Sequence, residues 1–242
     1  MTRVLLDALL SCPGEAVVTG DELHYLRRVR RLEPGDPVEV RDLRGRLFSA
    51  RVVLLGKERA VLALEAEAPA AREAAQVNVI IAVPKRHLLD DVVRQLSEIG
   101  VARLAPVVSE RSVARPGKER APRWRRIAAE SVRQCGRARP MAVDDVRPFA
   151  DVLRELAGKG TRLVLHERET STGLSAALGK GPVSPPLTLA VGPEGGFSPD
   201  EILLSADLGF APMGLGPSVL RVETAAVVAA TLAVAALGGF EP

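Results

Sequence analysis

The sequence predicts an α/β domain built on a parallel sheet, preceded by a small β-rich unit. Residues 1 to about 70 contain short β-prone runs separated by hairpin-like turns, with a single helical stretch. From Val77 onwards, short apolar runs alternate with helical stretches, as in proteins whose parallel strands are joined by helices. The 242 residues, of which 47% are hydrophobic, are enough for one large or two modest domains with buried cores.

The first 70 residues predict a small β-barrel with one helix. Their β-prone runs are separated by charged turns, two of which contain glycine, which is a pattern typical of hairpins. These runs are Val38 to Val40, Leu47 to Leu55 and Ala60 to Leu64. Ahead of them, the stretch from Gly20 to Leu32 carries Leu23, Leu26 and Val29 at helical spacing.

A change in composition marks the boundary between two predicted domains. The run from Glu65 to Gln76 is rich in alanine and charge and lacks β-branched residues, which favours a linker. We therefore predict a first domain over residues 1–70, a linker over residues 71–76 and a second domain over residues 77–242.

Strands and helices alternate in the second domain, which predicts a parallel sheet covered by helices. The predicted strands are Val77 to Pro84, Leu104 to Val108, Arg162 to His166 and Leu187 to Val191. The predicted helices are Leu88 to Ile99, Trp124 to Cys135, Phe149 to Leu156, Thr172 to Leu178 and Val222 to Leu237. The first two helices carry an apolar stripe along one face, which can pack on the sheet.

The last of these helices is apolar on nearly every face. Such a helix is either buried in a large core or shared between two chains. Because the second domain is of moderate size, we predict that the helix from Val222 to Leu237 forms a homodimer interface. Burial in the core of a single chain is the alternative.

Two glycine-rich loops follow short apolar runs in the last quarter of the chain. Leu187 to Ser198 ends in three glycines and a proline, which stop the strand and leave backbone groups open to a ligand. Ser198 then precedes a proline and two acids, which predicts that a helix begins there. Met213 to Ala225 contains a second turn of the form Gly-x-Gly-Pro. Neither loop has the glycine order of a dinucleotide site or the lysine and hydroxyl of a P-loop.

Basic residues are concentrated in two segments, although the net charge of the chain is only +3. Arg103 to Arg139 has a net charge of +8, and His24 to Arg51 has a net charge of +4. This distribution favours a polyanion such as nucleic acid as the partner, with locally paired surface charge as the alternative. Aromatic residues make up only 3% of the chain, which argues against a stacking platform for single strands.

Cysteine and histidine are too few and too scattered for a disulfide framework or a metal site. The chain has Cys12 and Cys135, and its histidines, His24, His87 and His166, show no ligand spacing. We therefore predict no metal. The N-terminal apolar run is too short for a signal peptide, and the last helix is too short to span a membrane. We predict a cytoplasmic protein without a membrane anchor.

The two glycine loops together resemble the signature of the RsmE family of ribosomal RNA methyltransferases. The family pattern is roughly (I/V)GPEGG(F/W)S followed by LGxx(I/V)LRxETA. Val191 to Ser198 and Leu215 to Ala225 meet it in the same order and spacing. Other segments that are similar to family elements are His24 to Asp36, Glu110 to Ser112, Arg123 to Trp124 and Gln134 to Arg137.

This resemblance implies a fold and a reaction. The family belongs to the SPOUT class. The resemblance therefore implies an α/β methyltransferase domain with a trefoil knot, preceded by a PUA-like RNA-binding β-barrel domain. It implies methylation of N3 of a specific uridine in 16S ribosomal RNA of the small subunit, with S-adenosylmethionine as the methyl donor. It also implies a homodimer through the C-terminal helix. Nothing in the periodicity of the sequence indicates the knot, and knots are rare.

The resemblance also implies which residues bind the methyl donor. They come from three loops whose backbone groups and leucine side chains suit an adenosine better than a triphosphate. These residues are Leu165, His166, Glu167, Val191, Gly192, Pro193, Glu194, Gly195, Gly196, Leu215, Gly216 and Leu220. For Glu194 a structural role is an alternative, in which its carboxylate holds the glycine loop by accepting backbone amides.

Catalytic and RNA-binding residues follow from the same resemblance. Arg221 is expected to stabilise charge on the target base or to hold the nucleotide, and Glu223 to orient it or to assist proton removal. The residues expected to contact RNA are Arg27, Arg28, Arg30, Arg31, Arg111, Arg123, Gln134 and Arg137. For Gln134 and Arg137, capping and solvation of a helix end is the alternative.

Two positions depart from the family pattern. Ser218 stands where many members have arginine, and Val222 stands where threonine is usual. Because neither departure touches the glycines, we expect donor binding to be kept, and affinity for RNA or the choice of target to differ. Two other functions remain open: a non-enzymatic RNA-binding or ribosome-assembly factor, and a SPOUT methyltransferase that acts on another RNA.

Overall fold

The chain divides into two units in its computed structural model. The structure describes residues 2–6, 8–42, 46–67, 75–85, 88–114, 117, 119–135, 137, 139–167, 169 and 171–240, except for the side chains at positions 133 and 134. The first unit comprises Met1–Glu73 and Val132–Arg139, and the second comprises Ala74–Ser131 and Pro140–Pro242. The predicted linker lies outside the described residues except at positions 75 and 76.

The first unit contains a five-stranded mixed sheet. Its strands are β1 (Thr2–Leu5), β2 (Gly14–Val18), β3 (Pro37–Arg41), β4 (Leu47–Leu55) and β5 (Ala60–Glu67). They lie in the order β1-β3-β4-β5-β2, with β1 and β3 parallel and the other neighbours antiparallel. The sequence pattern predicts β3 to β5. It misses β1 and β2, which have only 4 and 5 residues.

The helical segment between β2 and β3 changes its winding along its length. Helix α1 (Gly20–His24) continues as a π-helical turn over Tyr25–Val29. The predicted apolar stripe therefore holds only in part, since Leu23 and Leu26 are buried whereas Val29 is 62% exposed. A π-helix bonds residue i to residue i+5, which rotates later positions away from a stripe of 3.6-residue period.

The second unit is built on a seven-stranded sheet in which every described pair of strands is parallel. Its strands are β6 (Val77–Ala82), β7 (Arg103–Val108), β8 (Ala142–Val143), β9 (Arg147–Pro148), β10 (Thr161–Leu165), β11 (Leu187–Val191) and β12 (Ala211–Met213). They lie in the order β12-β10-β11-β6-β7, and β8 and β9 both pair with β7. The predicted parallel sheet is confirmed.

Helices cover both faces of this sheet. They are α2 (Leu88–Ile99), α3 (Arg120–Cys135), α4 (Phe149–Leu156), α5 (Leu174–Lys180), α6 (Pro199–Asp207) and α7 (Val222–Ala236). One apolar cluster joins α2, the first part of α3, α5 and α7 to the sheet, and a second cluster joins α4 and α6. Strand β6 serves both, because Val79 and Ile81 belong to the first cluster and Ile80 and Ala82 to the second.

One face of α7 is buried within the second unit. The helix packs against α2, α5, β6 and β11, and Ala226, Ala229, Ala230 and Ala233 are fully buried. Elsewhere on the helix, Val228 is 38% exposed. The sequence left open that α7 is buried in the core of a single chain. Such burial accounts for one face of α7, whereas another face is uncovered in this chain.

Candidate functional site

A pocket of about 650 Å³ lies at the carboxyl edge of the parallel sheet in the second unit. Ligands of open α/β folds bind at this edge, where the loops that follow the strands come together. Loops after β6, β10, β11 and β12 line the pocket. The loop after β6 contributes Lys85 and leads to Leu88. The loops after β10, β11 and β12 contribute residues 165–167, 191–196 and 213–223, respectively, and Ala225 also lines the pocket.

The structure brings together every residue that the sequence analysis assigns to the methyl donor or to catalysis. These lining residues are Leu165, His166, Glu167, Val191, Gly192, Pro193, Glu194, Gly195, Gly196, Leu215, Gly216, Leu220, Arg221 and Glu223. Lys85 and Leu88 come from a segment that the sequence analysis did not place at the site. The other lining residues, to which it gave no donor-binding or catalytic role, are Met213, Gly214, Pro217, Ser218, Val219, Val222 and Ala225. Lys85 could have been predicted at the site, because it directly follows a strongly apolar predicted strand and ligands bind where such strands end.

The loop after β11 makes a tight turn that needs glycine at two places. The Gly196 amide donates to the Pro193 carbonyl oxygen over 2.9 Å, and Gly196 has a φ of 67°, in the left-handed region. A Cβ at Gly192 would lie 3.2 Å from the ring and the amide nitrogen of Phe197, whose ring is stacked on Phe149. The two glycines keep bare backbone at the surface of the pocket.

The loop after β12 is held against the loop after β10 by backbone hydrogen bonds. The His166 amide donates to the Met213 carbonyl over 3.0 Å. The Gly214 amide donates to the Thr172 carbonyl, and the Leu174 amide donates to the Gly214 carbonyl, both over 2.9 Å. Two walls of the pocket are therefore fixed to each other.

A carboxylate links the loop after β11 to the loop after β6. Oε1 of Glu194 accepts the backbone amide of Lys85 over 3.0 Å. The structural alternative for Glu194 was that its carboxylate holds the glycine loop by accepting backbone amides. The amide that it accepts belongs to the neighbouring loop, so the contact joins two walls of the pocket.

A second carboxylate joins the start of α6 to the loop after β7. The predicted N-cap is present: the Ser198 hydroxyl oxygen accepts the Glu201 amide over 3.3 Å, and Oε2 of Glu201 accepts the Ser198 amide over 2.9 Å. Oε1 of the same Glu201 accepts the Glu110 amide over 2.8 Å. This capping box therefore also positions the chain just after β7.

Two of the predicted RNA contacts already bind protein groups within the second unit. Nη1 of Arg111 donates to the carbonyl oxygens of Gly195 over 3.1 Å and of Phe197 over 3.4 Å. Nε of Arg123 donates to Asp90 over 2.9 Å, and its Nη2 lies 2.7 Å from the same carboxylate. Arg111 thus supports the glycine loop, and Arg123 is anchored to the start of α2.

Two further predicted RNA contacts lie at or just beyond the end of α3, in the part of the chain that belongs to the first unit. The side chain of Gln134 is outside the described residues. Arg137 is partly buried, and loss of hydration lowers the pKa of its guanidinium.

The remaining predicted RNA contacts lie in the first unit, two of them at a basic pocket. This pocket has a volume of about 520 Å³, and its lining residues are Gly20, Leu23, His24, Arg27, Arg28, Lys57 and Glu58. Nη1 of Arg27 donates to the Lys57 carbonyl over 3.4 Å. Arg30 donates from Nε to the Thr2 hydroxyl over 3.0 Å, and Arg31 is exposed with a φ of 53°.

Charged side chains of both signs line the pocket of the second unit. Lys85 and Arg221 are exposed cations, Glu167 and Glu194 are exposed acids, and Glu223 is half-buried in the first turn of α7. Most of the remaining lining is glycine backbone and apolar side chains. The site therefore offers apolar walls, open backbone groups and a few charges at its opening, as small-molecule sites commonly do.

The described part of the chain shows neither a metal-binding cluster nor a membrane-spanning helix. There, no three His, Cys, Asp or Glu side chains gather as a metal ion would require. No described helix has the length and apolarity needed to cross a bilayer.

Family models match both units of the chain. A model described as RNA methyltransferase domain matches residues 71–234, and a model described as RNA methyltransferase PUA domain matches residues 18–65. The first match includes all the lining residues of the pocket at the sheet edge. The second match includes all the lining residues of the basic pocket.

Relatives and solved structures agree with these matches. Two relatives are named Ribosomal RNA small subunit methyltransferase E. The protein from Mycobacterium bovis is 34% identical over 93% of this chain and 87% of its own length. The protein from Synechocystis is 33% identical over 88% of this chain and 70% of its own length. A crystal structure of the enzyme of that name from Neisseria gonorrhoeae, bound to S-adenosyl methionine, aligns with a TM-score of 0.86 at 26% identity over 95% of each chain. A Legionella pneumophila methyltransferase with bound SAM aligns with a TM-score of 0.84 at 28% identity over 98% of each chain. The chain belongs to the RsmE family of ribosomal RNA small subunit methyltransferases and contains a PUA domain and an RNA methyltransferase domain.

Proposed function

We propose that this protein transfers a methyl group from S-adenosylmethionine to N3 of a specific uridine in 16S ribosomal RNA of the small subunit. The observation that carries the proposal is the pocket at the sheet edge that both signature loops line. The names of the curated relatives and the donor in the Neisseria and Legionella structures support the same reaction.

The pocket fits the methyl donor in size and chemistry. Its volume of about 650 Å³ lies in the usual range for small-molecule sites. Backbone groups of the loops over 191–196 and 213–216 would bind the adenine and the ribose, because glycines leave them accessible. Leu165, Leu215 and Leu220 would cover apolar faces of the adenosine. Few cations are available for a triphosphate, which favours this donor over a nucleotide.

The chemistry determines what the protein has to supply. The bound donor supplies an electrophilic methyl group: as N3 of uracil bonds to it, the sulfur–methyl bond breaks with its electron pair left on sulfur, and the N3 proton passes to a base. The protein must hold N3 in line with the methyl group and exclude water. It must also accept the proton and stabilise the negative charge that spreads to O2 and O4.

Two residues at the start of α7 are suited to these tasks. Arg221 is the N-cap residue of α7 and is exposed at the pocket, and we propose that its guanidinium stabilises charge on the uracil or holds the nucleotide. Glu223 is half-buried two residues later and lines the same pocket. We propose that it orients the base or takes up the N3 proton.

The PUA domain supplies the main proposed contacts with RNA. Arg27 and Arg28 line the basic pocket with His24 and Lys57, an arrangement suited to a phosphate backbone. Arg30, Arg31, Gln134 and Arg137 complete this proposed contact set. The guanidinium groups of Arg111 and Arg123 donate hydrogen bonds to other groups of the protein. We therefore propose that these two residues shape the RNA-facing surface of the methyltransferase domain.

We also propose that the methyltransferase domain contains the trefoil knot of the SPOUT class. The path of the chain supports it: β12 lies beside β10, whereas α7 packs on β11, β6 and α2, so residues 214–221 cross over the ends of the intervening strands. Mechanical extension tests this. If pulled from residues 77 and 240, the unfolded domain should fall short of its full contour length, because a tightened knot retains chain. Full extension would contradict the knot, and a pull between residues 2 and 67 is the control.

The uncovered face of α7 supports a homodimer. Val228 is 38% exposed and the other outward residues of α7 are small or apolar, which would allow a second copy to approach closely. We further propose a cytoplasmic location, which the free thiols of Cys12 and Cys135 favour. Recovery of the protein in a membrane or exported fraction would contradict that location.

Transfer of labelled methyl from S-adenosylmethionine tests the reaction. The acceptors are small subunits and protein-free 16S RNA from a strain that lacks the gene, with subunits of the parent strain as the already methylated control. We expect one 3-methyluridine in the acceptor from the deletion strain and none added to the control. Label in another nucleoside or in another RNA would assign a different target. Absence of transfer together with absence of donor binding would favour an assembly factor.

A further inference from the structure

Lys85 and Leu88 form a wall of the pocket that neither signature loop accounts for. The sheet order places β6 on one side of β11 and places β10 and β12 on the other. The residues proposed for the donor follow β10, β11 and β12, whereas Lys85 follows β6. The β6 side is therefore the part of the pocket left for the second reactant, the target base.

The pocket has a buried floor and an exposed rim, and Lys85 belongs to the rim. The floor of the pocket is buried, with Val191, Met213 and Leu165 between 3% and 9% exposed. At the rim, Leu88 is 36% exposed and Val219 is 81% exposed, and Lys85 is also exposed. A base that enters from solvent meets these residues first, and the two apolar side chains suit its faces.

The backbone of Lys85 is fixed, whereas its ammonium group has no partner among the residues that the structure describes. Its amide is bound to Glu194 over 3.0 Å. Among the described residues, no hydrogen bond or ion pair of the Lys85 side chain is found. An exposed lysine without a partner is ordinary at a surface, but this one lines a pocket whose reaction creates negative charge.

We propose that Lys85 is a catalytic residue whose ammonium group contacts the target uracil and stabilises the negative charge on O2 or O4 as N3 loses its proton. The proposal rests on the uracil N3 reaction described above. A fixed cation beside the base lowers the free energy of the uracil anion, so more of the base is deprotonated at a given pH. Lys85 would act from the β6 side of the pocket, with Arg221 contributed by the loop after β12.

Single-turnover methylation across a pH series tests this role. The variants are Lys85→Ala and Lys85→Arg, with Lys159→Ala as a control at an exposed lysine outside the pocket. The amide bond to Glu194 is made by the backbone, so neither change removes it. With donor and RNA saturating, we expect Lys85→Ala to lower the rate about 100-fold near neutral pH. The pH at which the methylation rate rises should also be higher for Lys85→Ala than for the wild type, because the uracil anion is no longer stabilised. Lys85→Arg should recover most of the rate.

Two results would overturn the proposal. Weaker donor binding by calorimetry with an unchanged pH profile would mean that Lys85 binds the carboxylate of the donor. A higher KM for RNA with unchanged kcat would mean that it binds a phosphate. Failure of the wild type to form 3-methyluridine is a separate result, because it would reject the proposed reaction whatever the variants do.

Discussion

The backbone amide of Lys85 donates a hydrogen bond to Oε1 of Glu194 over 3.0 Å, although the two residues are 109 positions apart in the chain. The contact joins the loops that follow the adjacent strands β6 and β11. It therefore fixes the distance between the glycine loop and the wall from which Lys85 projects.

Removal of this contact should loosen both loops. We expect Glu194→Ala to weaken S-adenosylmethionine binding about 10-fold, because the amide loses an ionised acceptor. Glu194→Gln retains an oxygen acceptor and should keep most of the affinity. Calorimetric titration of the donor measures both, with Glu98→Ala at an exposed position of α2 as the control. Equal affinity in wild type and Glu194→Ala would show that the loops hold their places without it.

The turn at Gly196 should not tolerate a side chain. With a φ of 67°, alanine there costs roughly 1–2 kcal/mol of backbone strain, and its Cβ would lie 2.7 Å from Oε1 of Glu167. We expect Gly196→Ala to lower both the melting temperature and donor affinity. Gly179→Ala is the matched control, because nothing lies within 4 Å of that Cβ in α5. Unchanged donor affinity in Gly196→Ala would separate this turn from the donor site.

Arg221 should affect the reaction more than donor binding. We expect Arg221→Ala to reduce methyl transfer about 100-fold while the donor still binds, because charge on the uracil loses a stabilising cation. Arg221→Lys keeps the charge and should recover part of the rate. Transfer assays and calorimetry on the same preparations separate the two effects. Wild-type turnover by Arg221→Ala would remove this residue from the mechanism.

Arg27 and Arg28 should contribute to the salt dependence of RNA binding. If each arginine contacts one phosphate, the double alanine variant should reduce the slope of log K against log salt by about 1–2. Affinity should fall similarly for different RNA sequences, because phosphate contacts carry no sequence information. Filter binding at several salt concentrations measures this, with Arg154→Ala in the second unit as the control. A slope equal to that of the wild type would move the RNA path away from the basic pocket.

A charge on the outer face of α7 should dissociate the proposed homodimer. Val228 is 38% exposed in the single chain, so Val228→Glu should fold normally and sediment as a monomer. Leu203→Glu is the control, since Leu203 is 63% exposed on α6 and lies outside the proposed interface. Dimers of Val228→Glu as stable as those of the wild type would place the interface elsewhere.

Local patterns in the sequence were sufficient to predict the parallel sheet and both glycine loops. The alternation of strands with helices and the glycine spacing are each visible within about 30 residues, so no long-range information was needed. Lys85 was missed because its role depends on the pairing of β6 with β11, which lie more than 100 residues apart. Val29 stands at helical spacing after Leu23 and Leu26 but is exposed, because that spacing assumes an α-helix and the backbone turns into a π-helix there.

The pocket at the sheet edge is formed by residues that span Lys85 to Ala225. A ribosome synthesises the chain from its N-terminal end, so the PUA domain is complete long before the last wall of the pocket is made. A nascent chain that stops before residue 213 has the loops after β6, β10 and β11 but lacks the loop after β12 that lines the pocket with them. If the pocket binds the methyl donor as proposed, this ability arises late in synthesis, and a chain that ends before residue 213 would keep the basic pocket of its PUA domain without a complete donor site.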